Sequence, residues 1–215
     1  MSEYQNAAQQ AALDRLTMRI AECRICDVQR IPVRHSASAM FRGNGRLGMV
    51  VGIQPGNTEV ESSEAFSGAA GTRLVKWLIE AGIGPDREAI FNRMYFTSLA
   101  KCGSSNTHTA ALIRNCRLFL ARQIEIVEPK VLITLGAGPL EHLFPGSELE
   151  SCVGHLFKEA ELRPTMFPLL DEAARILPLP HPSPLSRWLN EPANKKKLTQ
   201  ALEALRMYVG EHRNA

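Results

Sequence analysis

Short apolar runs alternate with longer stretches of helical period along most of this chain. Gly48-Met-Val-Val-Gly-Ile53 is apolar throughout and bounded by turn residues, the pattern of a strand buried on both faces. It leads into Gln54-Pro55-Gly56. Leu74, Trp77, Leu78 and Ala81 then share one helical face between Gly68 and Gly82, with Gly82 placed to end the helix. The same order recurs, predicting strands over 94–97, 131–135 and 175–179 and helices over 109–128, 136–143 and 192–208. Ahead of them Ala12, Leu16 and Ile20 predict a helix over 5–22, followed by a loop with Pro32, Gly43 and Gly45.

Strands alternating with helices predict an α/β fold, a three-layer α/β/α sandwich around a mainly parallel sheet of about four strands. The expectation is one domain over 1–215, because 215 residues with 45% hydrophobic content suffice for one core. Ligands in such folds bind beyond the carboxyl ends of the strands. Gln54-Pro-Gly, Ser98 to Cys102 and His181-Pro-Ser-Pro, the least core-like segments, fall at such ends.

Charge narrows the field little: 25 basic against 22 acidic residues leave +3, which permits nucleic-acid binding without requiring it. Lys195-Lys-Lys197 is expected on a solvated helix face. No apolar run of about 18 residues could span a bilayer, and no basic-then-apolar leader opens the chain. A cytoplasmic location is therefore expected, without membrane contact.

The cysteines change the picture more. Cys23-x-x-Cys26 is a pair able to reach one metal site, and Cys102 and Cys116 follow at a strand end and on a helix. Four thiolates suit tetrahedral zinc or an iron–sulfur cluster, and spacing alone does not separate the two. Cys152 stands outside this set and is expected as a buried or free thiol.

Together these segments resemble the uracil-DNA glycosylase superfamily, and most closely its family-four branch, over about Cys23 to Arg187. The resemblance implies a [4Fe–4S] cluster on Cys23, Cys26, Cys102 and Cys116. It also implies excision of uracil, or another deaminated base, from DNA by hydrolysis of the N-glycosidic bond in base-excision repair. The family's first motif stands here as Gly52-Ile53-Gln54-Pro55-Gly56-Asn57-Thr58-Glu59, with Ile53 in place of its glutamate. Ile53 cannot polarise water, so the resemblance leaves Gln54 to position the attacking water through its amide. Gly52 and Ile53 are expected to line the base site.

Glu64-Ala65-Phe66-Ser67-Gly68-Ala69-Ala70-Gly71 is similar to the segment whose aromatic ring stacks on the flipped base, which assigns that role to Phe66. Ser98 stands where the family has an asparagine that reads the base edge. His181-Pro182-Ser183-Pro184-Leu185-Ser186 resembles the last motif of family one. It implies a catalytic His181 that stabilises the departing base anion, with Leu185 as a wedge and Ser183, Ser186 and Arg187 on phosphates. The implied partner is DNA containing uracil or a related deaminated base, bound by a monomer.

Two other readings stay open. With Ile53 and Ser98 replacing polar groups, the protein could bind lesions with little turnover. In one variant, Gln54 and the loop holding His108 resemble a branch that traps uracil-DNA covalently. The other reading is a zinc-bearing α/β protein unrelated to DNA.

Overall fold

The computed structural model describes residues 3–35, 41–104, 109–162 and 170–211, with the backbone alone for residues 3–6. Four strands, β1 (Gly48–Gly52), β2 (Met94–Ser98), β3 (Val131–Leu135) and β4 (Arg175–Leu179), form one sheet in the order β2-β1-β3-β4. All three strand pairs are parallel, with Gly48 opposite both Met94 and Val131, and Val131 opposite Arg175. Parallel neighbours need long crossovers, and helices supply them.

Side chains alternate across each strand, so both faces of the sheet must be covered. Val50, Phe96, Ile133 and Leu177 meet Leu74, Trp77 and Leu78 of α4 (Ala69–Glu80), Ile90 and Phe91 of α5 (Arg87–Phe91), and Ala201 and Leu205 of α9 (Pro192–Glu211). On the opposite face Val51, Tyr95, Leu132 and Ile176 meet Leu16 and Ile20 of α1 (Glu3–Ala21), Leu120 and Ile124 of α6 (Thr109–Val127), and Leu140 of α7 (Ala137–Leu143). This is the expected three-layer α/β/α sandwich.

The long helices stand where their periodicity predicts them. Gly82 ends α4 with φ +74°, and Ile83 N–H donates to Leu78 O at 3.0 Å, the left-handed stop expected of a glycine there. The periodic pattern does not register α2 (Ile25–Val28), α3 (Asn57–Ser62), α5 and α8 (Leu149–Cys152), each too short to complete a repeat. Cys152 is a buried thiol, as expected. Lys195 and Lys196 are exposed, whereas Lys197 pairs with Glu150 at 3.3 Å. Among the described residues no helix is long and apolar enough to cross a membrane.

One backbone approach fixes the sheet's working edge. A Cβ on Gly71, in the first turn of α4, would be driven into the carbonyl oxygen of Phe66. Helix propensity alone would make Gly71→Ala stabilising by about 1 kcal/mol. Overpacking against a fixed carbonyl costs about 1–3 kcal/mol, and it outweighs that gain. Gly71→Ala is therefore expected to lower the urea midpoint of unfolding at unchanged m-value. An increased midpoint would contradict the packing described.

Candidate active site

A cavity of about 140 Å³ opens at the carboxyl ends of β1, β2 and β3. Gly52, Ile53, Gln54, Phe66, Ser98 and His181 all line it, so residues up to 129 positions apart in sequence share one wall. The strand order reverses at β1, which is where an open parallel sheet leaves a crevice for a ligand.

Phe66 reaches the cavity through a backbone that L-residues rarely adopt, with φ +52°. Arg87 holds it there: its guanidinium donates to Phe66 O at 3.1 Å and to Ala65 O at 2.6 Å. The Phe66 ring meets Phe96 edge-on at 5.2 Å, which leaves a ring face to serve as a platform. Glu59, on α3, accepts the Gly68 N–H at 2.9 Å, at the start of α4 where a carboxylate is favoured. A Cβ on Gly56 would strike its other oxygen. Glu59 is the one carboxylate among the described residues that lines the cavity. Sequence reasoning did not assign it a site role, although it closes the same motif as Gln54.

His181 follows β4 and lies against Gly136, where a Cβ would come within 3.2 Å of the His181 Cβ. Gly136 has φ +87°, so glycine answers both demands. The Ser183 backbone N–H donates to His181 Nδ1 at 3.2 Å. A backbone N–H can only donate, so the neutral ring carries its proton on Nε2. His181 keeps an exposed side at the cavity mouth, yet desolvation by its neighbours lowers its pKa below the usual histidine value. Arg73 of α4 ties the same loop down by donating to Ser183 O at 3.3 Å.

The amide of Gln54 is fixed by two bonds, Nε2 to Ser104 O at 2.7 Å and Thr109 Oγ1 to Oε1 at 3.4 Å. Ile53 turns towards α7, where a Cβ on Gly138 would lie 2.7 Å from its Cδ1. It therefore seals the cavity where the resembled motif has a carboxylate. Ser98 Oγ donates to Ala100 O at 2.7 Å. Beneath it Lys101, 1% exposed, donates through Nζ to Thr97 Oγ1 at 2.8 Å, to Gln123 Oε1 at 2.6 Å and to Ser98 O. Its burial depresses the ammonium pKa to about 7. Nothing in the sequence pattern marks Lys101 as buried.

Ser183, Leu185 and Ser186 stand outside the cavity on the loop beyond His181, and Arg187 opens the short 3-10 helix that follows (Arg187–Asn190). Leu185 is 90% exposed, an apolar side chain held out by a turn in which its N–H donates to Ser183 Oγ at 3.2 Å and Ser186 N–H to Ser183 O at 3.0 Å. His108 lies outside the described residues.

Three of the four cysteines, Cys116, Cys26 and Cys23, lie near one another, and none of the four lines this cavity. Burial pushes the Cys116 thiol pKa up, the Lys101 N–H and ammonium oppose this, and nearby Cys26 and Cys23 add to the rise. Asn115 Nδ2 donates to Cys26 Sγ at 3.5 Å and Lys101 N–H to Cys116 Sγ at 3.4 Å. Cys102 Sγ lies 3.7 Å from His35 Nδ1, and the Arg34–Gly103 bridge brings its loop to the segment after α2. Among the described residues no three His, Cys, Asp or Glu converge as one metal ion requires. Two of the four thiols, Cys26 and Cys116, have N–H donors at sulfur, a donor set compatible with thiolate ligation.

The family model of the uracil DNA glycosylase superfamily matches residues 46–206, a span that begins after Cys23 and Cys26. The chain is 32% identical to a type-4 uracil-DNA glycosylase of Archaeoglobus fulgidus over 65% of its own length and 67% of the relative's. It is 31% identical to one of Thermotoga maritima, over 61% of this chain and 65% of the relative. Against one of Sulfurisphaera tokodaii it is 30% identical, over 60% of each. The chain thus spans about two thirds or less of these relatives' length.

Nitrogen-15 NMR of the histidine rings tests the His181 geometry directly. The expected spectrum is the Nε2–H tautomer, titrating below pH 6.5 because burial disfavours the charged ring. An Nδ1–H tautomer or a titration above pH 6.5 would contradict it.

Proposed function

The chain belongs to the uracil DNA glycosylase superfamily, and from that membership we propose that it excises uracil, or another deaminated base, from DNA by hydrolysing the N-glycosidic bond. The observation that carries this reading is a cavity lined both by an aromatic platform, Phe66, and by a neutral histidine, His181. A base inside a duplex is out of reach, so the nucleotide leaves the stack at a cost of a few kcal/mol and enters this cavity. Phe66 stacks on the base and Ser98 meets its edge.

Bond cleavage puts positive charge on the sugar and negative charge on the departing base. His181 Nε2–H donates to the base oxygen as that charge develops, an interaction stronger in the transition state than before it. Gln54, fixed by Ser104 and Thr109, orients a water towards C1′. Glu59 takes the water's proton as its oxygen bonds C1′, and the base departs with the bonding electron pair. Leu185 fills the gap left in the stack, while Ser183, Ser186 and Arg187 hold phosphates.

Cys23, Cys26, Cys102 and Cys116 would hold a [4Fe–4S] cluster, a reading supported by the nearness of Cys116 to Cys26 and Cys23 and by the N–H donors on Cys26 and Cys116. When bound, the cluster supplies a covalent tie between the N-terminal segment and the loop after β2, since this hydrolysis moves no electrons. A reducing, cytoplasmic setting would keep these thiols available to hold the cluster. The protein acts on DNA as a monomer.

The test is single-turnover cleavage of a labelled oligonucleotide carrying one uracil. His181→Ala is expected to slow excision about 10²–10³-fold, the scale of losing one oxyanion donor. Glu59→Gln is expected to slow it about 10²-fold. Full activity in His181→Ala would reject this mechanism, and tight binding without cleavage by the wild type would favour a lesion-binding protein. Protein purified without air should contain iron and acid-labile sulfide, and Cys26→Ser should lose both. A colourless protein holding zinc in their place would refute the cluster.

A further inference from the structure

Beside the base cavity a second hollow, a groove of about 780 Å³, lies between α6 and α7. Ile53 lines both, and Thr109, which lines the groove, donates to the cavity residue Gln54. Ile53 is apolar, so the wall between the two carries no charge that would repel an anion. Arg114 and Arg117 line the groove from α6. Both are exposed, and among the described residues neither has a hydrogen-bond or ion-pair partner. Arg73 and Arg87, which brace the base cavity, instead give their N–H groups to carbonyl oxygens.

Positions i and i+3 of a helix carry Cβ atoms about 5–6 Å apart, so two guanidinium groups on one groove can hold neighbouring phosphates of one strand. Two groups line the groove from α7. Glu141 is exposed and accepts the Gly146 N–H at 3.4 Å, and desolvation holds the His142 pKa below the usual histidine value. Positive charge therefore exceeds negative. The loop beyond His181 is tied to α4, in the layer of the sandwich opposite α6 and α7. The base cavity thus opens between that loop and the groove.

We propose that this groove holds the phosphodiester backbone of the DNA strand that carries the extruded nucleotide, with Arg114 and Arg117 on successive phosphates. The inference rests on the glycosylase reading, which supplies DNA as the occupant. It adds a second hold on the strand, across the cavity from Ser183, Ser186 and Arg187. Gripped on both sides, the strand presents to the cavity the nucleotide between the two holds.

The experiment uses the full-length protein and a single-stranded oligonucleotide with one 2′-fluoro-2′-deoxyuridine, which binds without being cut, beside its uracil counterpart for excision. Affinity is measured between about 50 and 200 mM salt, where log K falls by about 0.7 per phosphate contact for each unit of log salt. Arg114→Ala/Arg117→Ala, with its melting temperature checked, is expected to bind on the order of tenfold more weakly and to flatten that slope by about 1.4. Its excision rate at saturating protein is expected to match the wild type, and Arg114→Lys/Arg117→Lys should keep the wild-type slope. Wild-type affinity and slope in the alanine variant would overturn the inference and leave the groove to another partner or to none. Slower excision at saturation with unchanged affinity would overturn it too. If the wild type binds DNA but removes no uracil, the glycosylase reading fails, and the salt slope still decides the groove.

Discussion

A parallel sheet has all its carboxyl ends on one edge, and the chemistry of this molecule depends on that constraint. β1, β2 and β4 each run out towards the same side, so Gln54, Ser98 and His181, far apart in the chain, are delivered to one opening. Buried parallel strands need both faces covered, which fixes the helices. The helix termini then meet the same edge, and α4 brings the Phe66 loop with it. Gly71 permits that approach because a side chain there would collide with the Phe66 backbone.

Within the cavity, polar groups are held mostly by the backbone. His181 takes its tautomer from a peptide N–H two residues on. Ser98 gives its proton to a peptide carbonyl, and Arg87 pins Phe66 through carbonyl oxygens. Groups fixed in this way need not reorganise when charge develops, which is the condition for electrostatic catalysis. Phe66 at φ +52° shows the cost borne by the scaffold, a strained residue kept in place by its neighbours. Ile53 adds an apolar seal, leaving Glu59 as the carboxylate that faces the cavity among the described residues.

Much of this was legible in the sequence because strands and long helices carry their period in the order of apolar residues. The run from Gly48 and the face of Leu74, Trp77 and Leu78 sufficed for β1 and α4. The site was legible as motifs at strand ends. What those motifs leave undetermined is direction. Ser98 reads as a cavity residue, but only the carbonyl of Ala100 reveals where its proton goes. Gln54 reads as a free amide until Ser104 is seen to hold it. Lys101 sits in a segment whose sequence gives no sign of burial, since its partners come from two separate places in the fold, the end of β2 and Gln123 on α6. Arg73 and Arg87 look like ordinary surface cations, and their work of holding the His181 and Phe66 loops depends on backbone carbonyls that sequence does not display.

The central claim is that the cavity between Phe66 and His181 receives a base extruded from DNA. A crystal structure of the protein with an oligonucleotide carrying a single 2′-fluoro-2′-deoxyuridine, whose glycosidic bond resists cleavage, tests it most directly. The account predicts the uracil ring stacked on Phe66, its O2 within hydrogen-bonding distance of His181 Nε2, and Leu185 in the vacated stack. A uracil still paired or stacked in the DNA, or lodged in another groove of the protein, would contradict it.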